Sequence, residues 1–354
     1  MKKIVLITKV FLILFASCVL QADDTPPWTW LYHKRISPQD CEQHKNKRIL
    51  HFSRENIDPF TQLMFSWNAI RPTTGYFSFH VSVRDAETKA WGTWHPMMEW
   101  GDQTQRSLIT SSDGHSRYIH VRLEADAGHQ SDGFRIKVVA HEGADMALLK
   151  AFSVCASNFE KFNEETSKNF GHLPSVRVHK VPRYSQFMLD HPRKDSLCSP
   201  TSCSMLTSFL VKSDIDPIDF AEKSYDHGLG VYGSWPFNMA HAFERCAGST
   251  YFCVARFQSF AWLHSWLERG LPVVVSVRGP LRGAARPYAH GHLLVVVGWD
   301  QKTNEVICHD PAFDQLELVR KRYALQDFLL AWERSRRLVY LACPAQNQEL
   351  GIET

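Results

Sequence analysis

The stretch QFMLDHPRKDSLCSPTSCSMLTSF, residues 186–209, decides the reading of this 354-residue chain. Ser199, Pro200 and Thr201 suit a helix start, because Ser and Thr cap well and Pro loses nothing in a first turn. Met205, Leu206, Phe209 and Leu210 then recur at helical spacing, so the helix buries one face. Cys198 stands at its mouth, beside unpaired backbone N–H groups and the positive end of the helix dipole. That setting favours thiolate over thiol.

Two downstream pieces bear on this sulfur. His292 opens the apolar run 293–297, Leu-Leu-Val-Val-Val, between Gly291 and Gly298. A histidine there projects from the rim of a buried strand. The next strand-like segment, 306–309, ends at Asp310-Pro311-Ala312. If the two strands are antiparallel neighbours joined by a turn at 300–304, His292 and Asp310 fall at the same sheet end. A carboxylate orienting an imidazole that deprotonates a thiol is the logic of nucleophilic catalysis. Gln186 can offer a side-chain amide to a developing oxyanion, with the Cys198 backbone N–H as the second donor. Taken singly, each residue has an ordinary structural role: a buried thiol, a strand-end histidine, a turn-forming Asp-Pro. The ordered combination carries the reading.

Chain length suggests about two domains. A net charge of +3 and the absence of a long basic stripe speak against a nucleic-acid surface. Arg334, Arg336 and Arg337 form one tight cluster, read as a solvated helix end. Between 49 and 157 the segments 51–52, 63–68, 76–84, 118–123 and 134–140 alternate or are β-branched, with turn residues between them. This predicts an antiparallel sandwich over 28–157. Trp91, Trp94, His95 and Trp100 fit aromatic packing there, with a carbohydrate platform as the competing reading. Residues 158–177 are polar and read as a linker. From 178 to 345 the pattern is helices first (217–225, 235–246, 259–268), then strands (271–277, 293–299, 305–309, 338–342) with one more helix at 324–334. That is an α+β domain whose sheet packs on the cysteine helix; residues 346–354 are a tail. Trp235 is expected as a hydrophobic anchor by the cleft, and the loop 279–289 as a lid.

At the other end, Lys2 and Lys3 precede an apolar run closing in small residues. Residues 1–22 therefore resemble a secretory signal peptide, and the uninterrupted apolar part from Val10 to Leu20 is too short to span a membrane comfortably. The expected location is periplasmic, cell-envelope or secreted, with Ala16-Ser17-Cys18 as a weak lipoprotein box. Export permits disulfides. Cys41–Cys155, Cys246–Cys253 and Cys308–Cys343 are one set of expected pairs, with Cys203 buried and reduced; the competing reading makes most of these cysteines merely small buried residues.

Residues 178–343 resemble the C39-like branch of the papain-like cysteine peptidases. The matching pieces are Val181-Pro182 through Gln186, Cys198-Ser199-Pro200-Thr201-Ser202, Gly291-His292 with its valine strand and Gly298-Trp299-Asp300, and Asp310-Pro311-Ala312. The resemblance implies Cys198 as nucleophile, His292 as general base and acid, Asp310 as the orienting residue and Gln186 as oxyanion donor. It implies a peptide or protein substrate and no cofactor or metal. Ser199 departs from the glycine of many relatives. Ser66-Trp67-Asn68-Ala69 and the Trp-rich middle are similar to sandwich modules that precede such domains in secreted bacterial proteins, where glycan or cell-envelope contact is one role. The alternatives are an inactive exported binding module with the same fold, a cell-wall amidase or transglutaminase-like enzyme, and a zinc hydrolase. The last would draw on His290 and His292, at i and i+2 on one strand face, with His309 and Asp310.

Overall fold

The computed structural model describes residues 27–37, 40 and 48–345, and every structural statement below concerns these residues. The signal-peptide reading, Cys18, Cys41 and the 346–354 tail lie outside them.

The first half is built from eleven strands: β1 (Thr29–Arg35), β2 (Ile49–Phe60), β3 (Gln62–Ala69), β4 (Tyr76–Asp85), β5 (His95–Gly101), β6 (Gln105–Ser107), β7 (Ser111–Ser112), β8 (Ser116–Ile119), β9 (Arg122–Ala125), β10 (Ser131–His141) and β11 (Leu149–Ser157). They make two antiparallel sheets, one ordered β1-β11-β3-β9-β8-β7 and the other β2-β10-β4-β5-β6. Alternation decides which face turns inward. In β10, Phe134, Ile136, Val138 and Ala140 are buried while Arg135 and Lys137 face outward. Phe65, Trp67, Phe79 and Trp100 fill the core. Trp100 and His95 are thus interior residues, and Arg135 lies over the rings of Trp91 and Trp94. The expected single strand at 118–123 is instead the β8–β9 hairpin. His120 and Val121 both take positive φ (45° and 61°), which Val seldom adopts.

The second half has five α-helices: α1 (Cys198–Val211), α2 (Pro217–Ser224), α3 (Trp235–Arg245), α4 (Phe260–Glu268) and α5 (Leu325–Glu333). Its strands are β12 (Val176–Arg177), β13 (Thr250–Arg256), β14 (Val273–Gly279), β15 (Tyr288–Asp300), β16 (Glu305–His309), β17 (Arg320–Ala324) and β18 (Leu338–Pro344). They form a seven-stranded antiparallel sheet ordered β13-β18-β14-β15-β16-β17, with β12 paired to β15. The β-branched runs of β14 and β15 are central and buried, as continuous apolar strands must be when helices cover them. No described helix is long and apolar enough to cross a membrane.

The two halves share a wall. Phe237 and Ala240 of α3 belong to the sandwich core. The Asn68 side chain pairs with the backbone of β13, donating to the Phe252 carbonyl (2.9 Å) and accepting its N–H (2.7 Å). Ser66, two residues earlier on the same face of β3, accepts the Val254 N–H. The segment 158–177 is strapped to the second half. The Glu165 carboxylate accepts the Phe260 N–H, and the Trp299 indole donates to the Leu173 carbonyl.

Two expectations are corrected here. Cys155, Cys246, Cys253, Cys308 and Cys343 are free buried thiols, so none of the expected disulfides involving them forms. Cys253 lies near Cys343 on the neighbouring strand, whereas Cys308 lies on β16. Arg337 is not solvated. It is 1% exposed, paired with Glu333 (2.9 Å) and Glu165 (3.6 Å), and donates to the Asn163 carbonyl.

Candidate active site

Helix α1 begins at Cys198 itself, with Leu197 at the cap position and no side chain satisfying its first amides. Two backbone amides, Ser199 in the helix's first turn and Leu293 on the sheet, act on the thiol and lower its pKa. From Ser199 to Ser208 the helix is buried, and its hydroxyls anchor it. Ser202 donates to the Leu293 carbonyl (3.0 Å), tying the helix to the residue after His292. Ser199 shares a hydrogen bond with the Tyr340 hydroxyl.

On the sheet, β15 and β16 are antiparallel neighbours joined by a turn at 301–304, with Val295 opposite His309. His292 and Asp310 thus meet at one sheet end, Nε2 to Oδ1 at 2.8 Å, both buried. With Nε2 taken by Asp310, Nδ1 is the ring nitrogen left for Cys198, whose influence also raises the His292 pKa. The Asp310 carboxylate accepts three further bonds: from the Tyr288 hydroxyl (2.7 Å), the Tyr323 hydroxyl (2.6 Å) and the Ala312 N–H (3.0 Å). A buried carboxylate so satisfied is held in place and held ionised.

The electrostatics follow. Burial alone raises the Cys198 thiol pKa, but the hydrogen bond and charge of His292, with the two amides, bring it below its ordinary value. Burial alone lowers the His292 pKa; the charge and hydrogen bond of Asp310, then those of Cys198, push it up to about 9. Burial likewise raises Asp310, and His292 with the two tyrosines outweighs that, leaving it below the usual carboxylate range. The three groups suit an ion pair of thiolate and imidazolium at neutral pH.

Gln186 lies in a short turn (Gln186–Met188) capped by Ser185. Its N–H donates to the Pro311 carbonyl (3.0 Å) and its side-chain Nε2 to the Lys194 carbonyl (2.8 Å), just before Cys198. It therefore bridges the Asp310 loop and the cysteine segment. Trp235 is half-buried and packs against both cores. The 279–289 loop reaches across to the cysteine side: Arg286 pairs with Asp195 (3.3 Å) and lies over the Phe187 ring.

Tyr288 and Tyr323 were not singled out as members of this site by sequence reasoning. Tyr288 reaches His292 through a bulge. Val277 faces His292 and Gly279 faces Tyr288, so two steps along β14 match four along β15. Gly291, at φ +93°, permits the extra turn of chain. The same bulge leaves His290 exposed while His292 is buried, which undoes the shared strand face of the zinc reading. The His309 ring points instead to the Pro182 carbonyl (2.9 Å).

The second half is a mixed α/β unit of helices on an antiparallel sheet, an architecture consistent with a peptidase-like domain. Residues 178–340 match the model of the Peptidase_C39 like family. No curated protein matches the chain.

Proposed function

We propose that the protein is an exported cysteine peptidase or amide hydrolase, its second half (178–345) arranged as in papain-like enzymes behind a sandwich of residues 28–157. What supports this is His292, hydrogen-bonded to the Asp310 carboxylate, its pKa raised by Asp310 and then by Cys198. The thiolate attacks the amide carbonyl carbon, and the oxygen becomes an oxyanion. The Cys198 N–H and the second Nε2 hydrogen of Gln186, the first being bound to Lys194, stabilise it. The imidazolium then gives its Nδ1 proton to the leaving amine, and an acyl-thioester remains. Water, deprotonated by the same imidazole, attacks the thioester and releases the acid. Asp310 holds the ring by Nε2 and keeps Nδ1 aimed at sulfur. The family supports a peptide or protein as substrate. The Lys2-Lys3 leader supports export.

A fluorogenic peptide-library digest tests the reading. Cleavage by the wild type, lost in Cys198→Ala, is expected; equal cleavage by the alanine variant would overturn it.

A further inference from the structure

At one rim of the sandwich, three side chains far apart in sequence turn toward a common point. Asp85 ends β4 in the five-stranded sheet. His115 sits in the turn between β7 and β8 of the six-stranded sheet, and His129 in the connection from β9 to β10. His115 Nδ1 and His129 Nδ1 are 3.3 Å apart. Asp85 Oδ2 is 3.4 Å from the His129 nitrogen and 3.9 Å from that of His115. A point equidistant from these three atoms lies about 2.1 Å from each, the distance at which zinc takes imidazole nitrogen and carboxylate oxygen.

The frame around the three atoms is held by bonds that do not use them. Asp85 Oδ1 accepts the N–H groups of Glu87 (3.1 Å) and Thr88 (2.7 Å) and the Thr88 hydroxyl (2.8 Å), which leaves Oδ2 turned to the histidines. Such bonds orient a ligating carboxylate. The Asp126 N–H donates to the His115 carbonyl (2.8 Å), and the His129 N–H to the Asp126 carbonyl (3.0 Å), so the two histidine turns are laced together. The Ala86 N–H bonds the Gln130 carbonyl (2.8 Å), fixing Asp85 beside them. Asp85 is buried, His129 half-buried and His115 exposed, so a fourth position faces solvent.

We propose that Asp85, His115 and His129 bind one zinc-class divalent ion, with water as fourth ligand, which staples the two sheets of the sandwich at this rim. Two imidazoles and a carboxylate with one open position suit zinc better than calcium or magnesium, which prefer all-oxygen shells. The site shares no residue with the Cys198 cleft and does not depend on the hydrolase reading.

The test uses the full chain, stripped with a chelator and titrated with zinc against a chromophoric competitor, then with cobalt read optically. One equivalent is expected in the wild type and in Cys198→Ala. Binding should weaken at least about tenfold in Asp85→Asn, as when a metal-site carboxylate is altered, and vanish in His115→Ala/His129→Ala. Cobalt should show four-coordinate visible bands with no thiolate charge-transfer band. His115→Ala alone, at an exposed position, gives the same loss if the double variant fails to fold. The proposal is overturned by no bound equivalent in the wild type, by undiminished binding in the histidine variants, or by a thiolate band that disappears in Cys198→Ala.

Discussion

The ring of Tyr288 lies flat on that of His292, centroids 4.0 Å apart and planes 18° from parallel, while its hydroxyl donates to the same Asp310 that holds the imidazole. One residue thus fixes both the plane of the base and the carboxylate behind it. Tyr288→Phe keeps the stack and removes one hydrogen bond to a charged group, about 1.5–3 kcal/mol. The expected result is kcat lower by roughly 10–100-fold with KM nearly unchanged, and a larger loss in Tyr288→Ala. Steady-state kinetics on a cleaved peptide separate the two; a rise in KM alone would count against a positioning role.

Cys198 is partly buried with a lowered pKa, while Cys203 and Cys308 are fully buried with raised ones. Iodoacetamide near neutral pH should therefore alkylate Cys198 first among the described cysteines, because the thiolate is the reactive form. Peptide mapping after timed quenching reads the order. His292→Ala removes the largest contribution that lowers the thiol pKa, and labelling of Cys198 should slow markedly.

Activity should follow a bell in pH. The thiolate is lost as pH falls through the lowered Cys198 pKa, and the imidazolium is lost as pH rises through about 9. Asp310→Asn removes the charge that chiefly raises His292, leaving burial to pull its pKa down. The alkaline limb should then shift to lower pH, with a much reduced maximum. A kcat/KM profile checks this, and an unmoved alkaline limb would refute the assignment of that limb to His292.

Arg337 neutralises two buried carboxylates, Glu333 and Glu165. Burial already pushes the Glu165 carboxyl up, against the Arg337 charge that lowers it. Arg337→Met leaves both acids without that partner and should cost about 3–5 kcal/mol, the usual penalty for breaking a buried pair from one side. Urea unfolding at neutral pH measures it. The triple change with Glu165→Gln and Glu333→Gln should recover part of the loss.

Much of the second half was legible because long-range packing agreed with local pattern. The valine run of β15 and the helix after Cys198 were each the only sensible reading of their residues, and the short turn at 301–304 left their strands little choice but to pair. Other features were hidden for physical reasons. Strand β13 contains no long β-branched run, and Cys253 within it invites a disulfide reading. The β8–β9 turn uses His120 and Val121 where Gly or Asn would have signalled it. Nothing in the sequence around Tyr288 marks it for the site; the bulge at Gly291 folds it back on His292. Arg337 stands in a basic cluster of the kind that usually meets water; only the fold brings Glu165 to it.

β13 is the outermost strand of its sheet, and an outermost strand's unpaired amides invite another chain to add on. Asn68 imitates that missing neighbour, its amide standing in for one peptide unit beside Phe252. The sandwich thus covers part of that strand's open edge. Severing the chain near residue 178 would uncover that edge and bare Phe237 and Ala240 together, so the isolated C-terminal half is expected to self-associate more than the whole chain.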